Sequence, residues 1–518
     1  MISLILSICA LILGYFLYGT LMAKIFRHDG RPTPAYSKQD GTDYVPMPTW
    51  KVFMIQLLNI AGTGPIFGAI MGAMFGPSSF LWIVFGCIFA GAVHDYLSGM
   101  LSVRLGGASL PEIVGEYLGR GTRNVMLVFS VIMLLLVGAV FVFSPASILG
   151  GMARFGIEKP AEGLDWAVMI WVGIIFVYYL VATCVPIDKL IGKIYPVFAV
   201  ALIFMALSLL VCLFVKWPHI PEIWDMFTSD KGGFDLGGRE SLNFSGKPIF
   251  PCLFITIACG AISGFHATQS PMMARCLKNE KLGKPIFYGS MITEGAIALV
   301  WAAVASWFIY DGGAETLGLA TTASAPVIVN AVSKSWLGVF GGILAILGVV
   351  AAPVTSGDTA LRSARLIIAD AFKLDQKPVA MRFAVSIPIF VVTALLLWYE
   401  IGNPAGFNTI WNYFGWANQT LSVFTLWAIT VFLAARPFAD ESFWKYSFIL
   451  TLIPATFMTA VCSSFILTAG STIGVGFNLP ALWAPNLAIV AALFSLVVFC
   501  LWYFRRAPKA KHLKNYKK

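Results

Sequence analysis

The chain has 518 residues, of which 58% are hydrophobic and only 12% charged. A soluble protein carries about 25% charged residues, so this chain has too little polar surface to cover itself in water and reads as an integral membrane protein. The net charge of +10 would suit nucleic acid in a soluble protein, but here the positions of the charges follow a membrane topology, and DNA binding has no support.

The first 24 residues begin Met1-Ile2-Ser3 without a basic n-region and meet Lys24 and Arg27 only after the apolar run. That polarity is the reverse of a secretory signal and predicts a transmembrane helix with its N-terminus outside. A bilayer core needs about 20 apolar residues per helix. Such runs occur at 2–24, 50–75, 79–103, 122–144, 164–184, 189–215, 249–270, 284–310, 336–358, 379–399, 407–434, 444–468 and 484–504. The expected fold is therefore an all-α polytopic membrane protein of about thirteen transmembrane helices. With the C-terminus cytoplasmic, the outer loops hold seven basic residues (Arg154, Lys159, Lys216, Lys231, Arg239, Lys247 and Lys334) and the inner side holds 28. This is the positive-inside bias of a multi-pass plasma (inner) membrane protein. The basic tail, 505–518, reads as an anchor at anionic lipid.

Two of the runs are interrupted, one by Ala61-Gly62-Thr63-Gly64-Pro65 and the other by Cys259-Gly260-Ala261-Ile262-Ser263-Gly264-Phe265-His266. Gly and Pro at this density break the helical ladder and free backbone groups, which a membrane tolerates only where protein or a watery cavity receives them. The first interrupted helix starts inside, and the second starts outside five helices later. Helices two to six and seven to eleven thus form two groups of five in opposite orientation, the plan of an inverted-repeat transporter. The predicted division is 1–49 for the first helix and its loop, 50–434 for the core (repeats 50–215 and 249–434), and 435–518 for two extra helices and the tail. The outer segment 216–248 is a lid or a plain connector.

Several long motifs carry a family resemblance. Gly41-Thr42-Asp43-Tyr44-Val45-Pro46, Ile60 through Pro65, and Ala90-Gly91-Ala92-Val93-His94-Asp95-Tyr96 are three of them. The others are 186–196, Leu253 through His266, and Trp416-Ala417-Asn418-Gln419. From about residue 40 to 430 the chain resembles the carbon starvation protein A (CstA) family. The resemblance implies a LeuT-like core and cation-driven uptake of peptides or pyruvate, in nutrient scavenging on starvation.

Half-helix N-termini offer partial positive charge to a carboxylate, and the opposite ends offer carbonyls to a cation. Residues Ala61, Gly62, Thr63, Gly64 and Pro65, with Cys259, Gly260, Ala261, Ser263, Gly264, Phe265 and His266, are accordingly the candidate site for a small carboxylate-bearing cargo. Glycine-mediated helix contact is the alternative. His266 would bind the carboxylate, carry a proton, or simply be hydrogen-bonded in place. His94 and Asp95 stand in the third run and Glu294 in the eighth, its inverted counterpart. Ionisable groups at membrane depth default to function, and a proton-coupling group is expected among these three. For His94 and Asp95 the alternative is a hydrogen bond to a neighbouring helix.

Thr355, Ser356 and Asp358 offer hard oxygen ligands, and the resemblance implies a sodium-type site at Thr355 and Ser356 facing the first broken helix. Asp358 also stands four residues before Arg362, the spacing of an ordinary helical ion pair. Lys193 is a rival, since an ammonium there would replace sodium and point to proton coupling. Trp411, Tyr413, Trp416, Asn418 and Gln419 form an aromatic–amide cluster read as a gate, with interfacial anchoring the alternative for Trp411 and Tyr413, and Asn418 and Gln419 are added to the candidate cargo-binding residues. The nine cysteines form no CxxC pair and nearly all lie in apolar runs, so neither a disulfide framework nor a metal cluster is expected. No P-loop, HExxH or GxSxG with a partner histidine appears, so neither an enzyme nor ATP-driven pumping by this chain is expected, and no cofactor beyond a coupling sodium or proton. The sequence thus predicts a secondary active importer of peptides, with a pyruvate/proton symporter as the alternative. A nutrient sensor or channel on a transporter scaffold is the rival from another class.

Overall fold

Backbone polar groups inside a bilayer must be satisfied within the segment, which is why apolar runs of this length become helices. A computed structural model of the chain describes residues 1–505 apart from 42, 159–162, 183–190, 227–241, 377, 404–405 and 472. Among the described residues every regular element is helical. In chain order these are α1 (Ile2–Phe26), α2 (Thr49–Ile60), α3 (Gly64–Ala73), α4 (Ser78–Arg104), α5 (Leu110–Leu118), α6 (Arg120–Met152), α7 (Trp166–Ala182) and α8 (Ile191–Lys216). They continue with α9 (Ile249–Thr256), α10 (Gly264–Ala274), α11 (Glu280–Tyr310), α12 (Ala325–Ala345) and α13 (Ala351–Phe372). The last four are α14 (Val379–Gly402), α15 (Gly406–Ala439), α16 (Ile449–Thr468) and α17 (Ala484–Arg505).

Helices fall on all thirteen apolar runs, yet among the described residues nine are long and apolar enough to cross a membrane, or ten when the bent pair α2–α3 counts as one. The difference has local causes. Helix α7 has 17 residues, α9 and α10 have 8 and 11, and α12 is broken at Gly338, where φ is 61°. The run predicted at 336–358 also begins earlier, at Ala325, and continues to Phe372.

Burial separates core from periphery. An 18-residue apolar stretch in each of α4 and α11 is 83% buried, against 33% for α1 and 11% for α17. Helix α10 packs on α4, α2 and α15, α11 packs on α3 and α2, and α13 lies along α6. Helices α16 and α17 stack outward from α15. Among the described residues four π-helical turns interrupt the central helices, at Gly64–Gly68, Gly86–Gly91, Lys284–Tyr288 and Ile346–Val350. Such turns are frequent at functional sites. Between the membrane helices, α5 starts in a capping box, with the Ser109 N–H donating to Glu112 at 3.1 Å, and stops at Gly119, where φ is +93°. The basic tail 506–518 and most of the outer segment, 227–241, lie outside the described residues.

Candidate functional site

The two interruptions meet. Helices α2 and α3 are bent by 53° about residues 61–63, and every residue from Ala61 to Pro65 is buried. A Cβ on Gly64 would stand 2.3 Å from Cβ and Sγ of Cys259 in the second break. Gly260 has φ +92°, a conformation that glycine alone adopts cheaply, and its added Cβ would lie 2.6 Å from that of Ala298 in α11. A Cβ on Gly264 would strike the Ser422 nitrogen and Asn418 oxygen of α15 at 2.3 and 2.4 Å. The glycines thus serve both roles read from the sequence, as breaks and as points of close helix contact.

Buried backbone groups released by a break need partners, and side chains of neighbouring helices supply them. Asn418 Oδ1 accepts from the Phe265 N–H at 2.6 Å and from Ser263 Oγ at 3.0 Å, capping α10. The half-helix N-terminus expected to greet a cargo carboxylate is therefore filled by Asn418 in this conformation. Gln419 Nε2 donates to the Phe254 carbonyl at 2.8 Å, and Trp82 Nε1 donates to that of Ile257 at 2.9 Å. At the first break Ser356 Oγ donates to the Leu58 carbonyl at 2.9 Å.

The ionisable residues form one chain. Asp95 Oδ1 pairs with His94 Nδ1 and Asp95 Oδ2 with His266 Nδ1, both at 2.8 Å. Nε2 of His266 then lies 3.5 Å from Oε2 of Glu294. All four side chains have zero solvent exposure. Imidazole and carboxylate thereby alternate from α4 through α10 to α11, hydrogen-bonded from His94 to His266 and in close approach from His266 to Glu294.

A second polar group flanks the first break. Ser356 Oγ lies 3.3 Å from where a Gly62 Cβ would be, while Thr355 Oγ1 donates to Ala351 in its own helix at 2.8 Å. Asp358 Oδ2 accepts from Tyr195 at 2.8 Å, and Arg362 donates to the Ala182 carbonyl at 2.6 Å. The side chain of Lys193 lies outside the described residues. Trp411 sits over the first break with its ring 6.1 Å from that of Phe67, whereas Tyr413 is 37% exposed and its hydroxyl accepts from the Gly476 N–H. Trp416 Nε1 donates to the Cys462 carbonyl in α16.

Sequence reasoning missed Trp82, Tyr195 and Asn59. Both amide atoms of Asn59, one residue before the end of α2, are buried without a hydrogen bond. Its signal was a polar amide inside an apolar run.

The fold is of the LeuT-like class. Over 90% of this chain and 99% of theirs, it superposes on a manganese transporter of Eremococcus coleocola with a TM-score of 0.56 at 14% identity. MhsT in complex with L-phenylalanine matches 87% of the chain and 97% of its own at 0.50 and 16% identity. The chain belongs to the carbon starvation protein CstA family, whose profile matches residues 1–153, 145–336 and 303–464. An uncharacterized membrane protein of Haemophilus influenzae is 48% identical over 57% of this chain and 88% of its own. The peptide transporters CstA of Campylobacter jejuni and Bacillus subtilis are 26% and 27% identical, over 87% and 80% of this chain and 78% and 82% of theirs. The chain is a multi-pass membrane protein and a transporter, not an enzyme.

Proposed function

We propose that this transporter imports peptides across the plasma membrane in nutrient scavenging, driven by the inward proton gradient, with its N-terminus outside and its C-terminus cytoplasmic. The observation that carries the reading is the chain His94–Asp95–His266–Glu294, buried and ending where the two broken helices touch. A proton arriving on this chain changes the charge beside the break, so protonation and separation of the helices are coupled. Cargo binding requires Gly64 and Cys259 to part, because no atom fits between them now. Once they part, Asn418 and Gln419 are the groups positioned to exchange a backbone partner for a cargo carboxylate or amide. The relatives named as peptide transporters support peptide over pyruvate.

A sodium-coupled reading has its own support in Ser356, whose hydroxyl meets the Leu58 carbonyl at the end of α2. Uptake into proteoliposomes separates the readings: labelled dipeptide and labelled pyruvate are offered under an imposed pH gradient or an imposed sodium gradient. The proposal expects dipeptide accumulation under the pH gradient alone. Accumulation of pyruvate only, or accumulation under sodium only, refutes it. Counterflow without a gradient separates a transporter from a sensor, which shows no flux, and from a channel, which shows no trans-stimulation.

A further inference from the structure

Cys259 of the second break, His266 of α10 and Glu294 of α11 each offer a ligand atom within 4.8 Å of the other two, and all three are buried. His266 Nε2 and the Glu294 carboxylate face each other at 3.5 Å without a well-formed hydrogen bond between them. A buried polar group left without a partner is costly, so a ligand that engages these groups is strongly favoured. The other histidine nitrogen, Nδ1, is held by Asp95 at 2.8 Å. One nitrogen fixed by a carboxylate and the other left free is the usual posture of a metal-ligating histidine.

We propose that Cys259, His266 and Glu294 bind one divalent first-row transition-metal ion of the zinc type, through three protein ligands with a fourth position open. Zinc bonds of about 2.0–2.3 Å place tetrahedral donors roughly 3.3–3.8 Å apart, so a spread of 4.8 Å closes by side-chain shifts of about an ångström. A thiolate and an imidazole select such an ion over sodium or magnesium, which take hard oxygen donors. On ligation the Cys259 thiol releases its proton to solvent, the imidazole binds as the neutral base, and no electron is transferred. The ion then stands between His266 and Glu294. Its exclusion of a coupling proton there rests on the proton-driven reading above, whereas the binding itself does not.

The test uses the purified full chain in detergent, titrated with Co2+ and then Zn2+. The expected result is one Co2+ per chain with a thiolate-to-cobalt charge-transfer band, which Zn2+ abolishes by displacement. Cys259→Ser removes the band, while Cys276→Ser, at another buried thiol, leaves it intact. Glu294→Gln weakens Co2+ binding by at least the 10–100-fold that loss of an outer-shell partner commonly costs. Wild-type protein without the band, or the same band in Cys259→Ser, overturns the assignment. Since the readout is binding and not uptake, its failure leaves the transport reading standing.

Discussion

The Asp95 carboxylate and the His266 imidazole sit 2.8 Å apart, joining α4 to the second half of the interrupted helix across 171 residues of sequence, both without solvent exposure. Because the other Asp95 oxygen holds His94, one carboxylate orients two imidazoles.

Asp95→Asn keeps the shape and removes the charge. A hydrogen bond to a charged group contributes about 1.5–3 kcal/mol, so thermal unfolding in detergent should move down by that loss. Gradient-driven uptake should fall at least as far as binding of the cargo does. A variant with wild-type stability and uptake shows that Asp95 has no ionic role.

Gly64→Ala places a methyl where Cys259 already stands, 2.3 Å away. Overpacking of this kind costs about 1–3 kcal/mol, and closure of the two breaks should be lost with it. The double variant Gly64→Ala with Cys259→Gly vacates the contested volume and should recover part of the uptake. Undisturbed uptake in Gly64→Ala alone argues that the breaks do not need to touch.

These breaks were legible because they are local: glycine and proline inside an apolar run announce themselves within a few residues. His94, Asp95 and Glu294 stood out for the same reason, as charge-bearing groups among apolar neighbours. The long-range bonds left no such trace. Trp82 reaches the Ile257 carbonyl across 175 positions, and Asn418 caps Phe265 across 153. Helical spacing pointed Asp358 at Arg362, and gave no sign that its carboxylate also accepts from the Tyr195 hydroxyl on α8. Cys259 and His266 were already read as one candidate cargo site, but Glu294 joins them only when α10 meets α11, which the sequence does not show.

Asn418→Ala removes the acceptor for the Phe265 N–H. Loss of an N-cap costs about 0.5–2 kcal/mol, while Asn418→Asp retains the accepting oxygen and should retain most of the stability. Thermal melts of the two variants check this: equal losses in both contradict a capping role.

The double variant Thr355→Ala, Ser356→Ala takes the only side-chain donor to the Leu58 carbonyl found among the described residues. Any stimulation of uptake by sodium should disappear, while uptake driven by a pH gradient persists. Sodium stimulation that survives places the ion elsewhere.

The most direct test of the central claim compares wild type with Glu294→Gln in proteoliposomes, measuring accumulation under a pH gradient and counterflow without one. Glutamine keeps the shape of the side chain but cannot give up or take a proton at neutral pH. If the buried chain couples protons to cargo, counterflow continues, pH-driven accumulation is lost, and the remaining flux no longer varies with pH. Accumulation and a pH profile identical to wild type would contradict it.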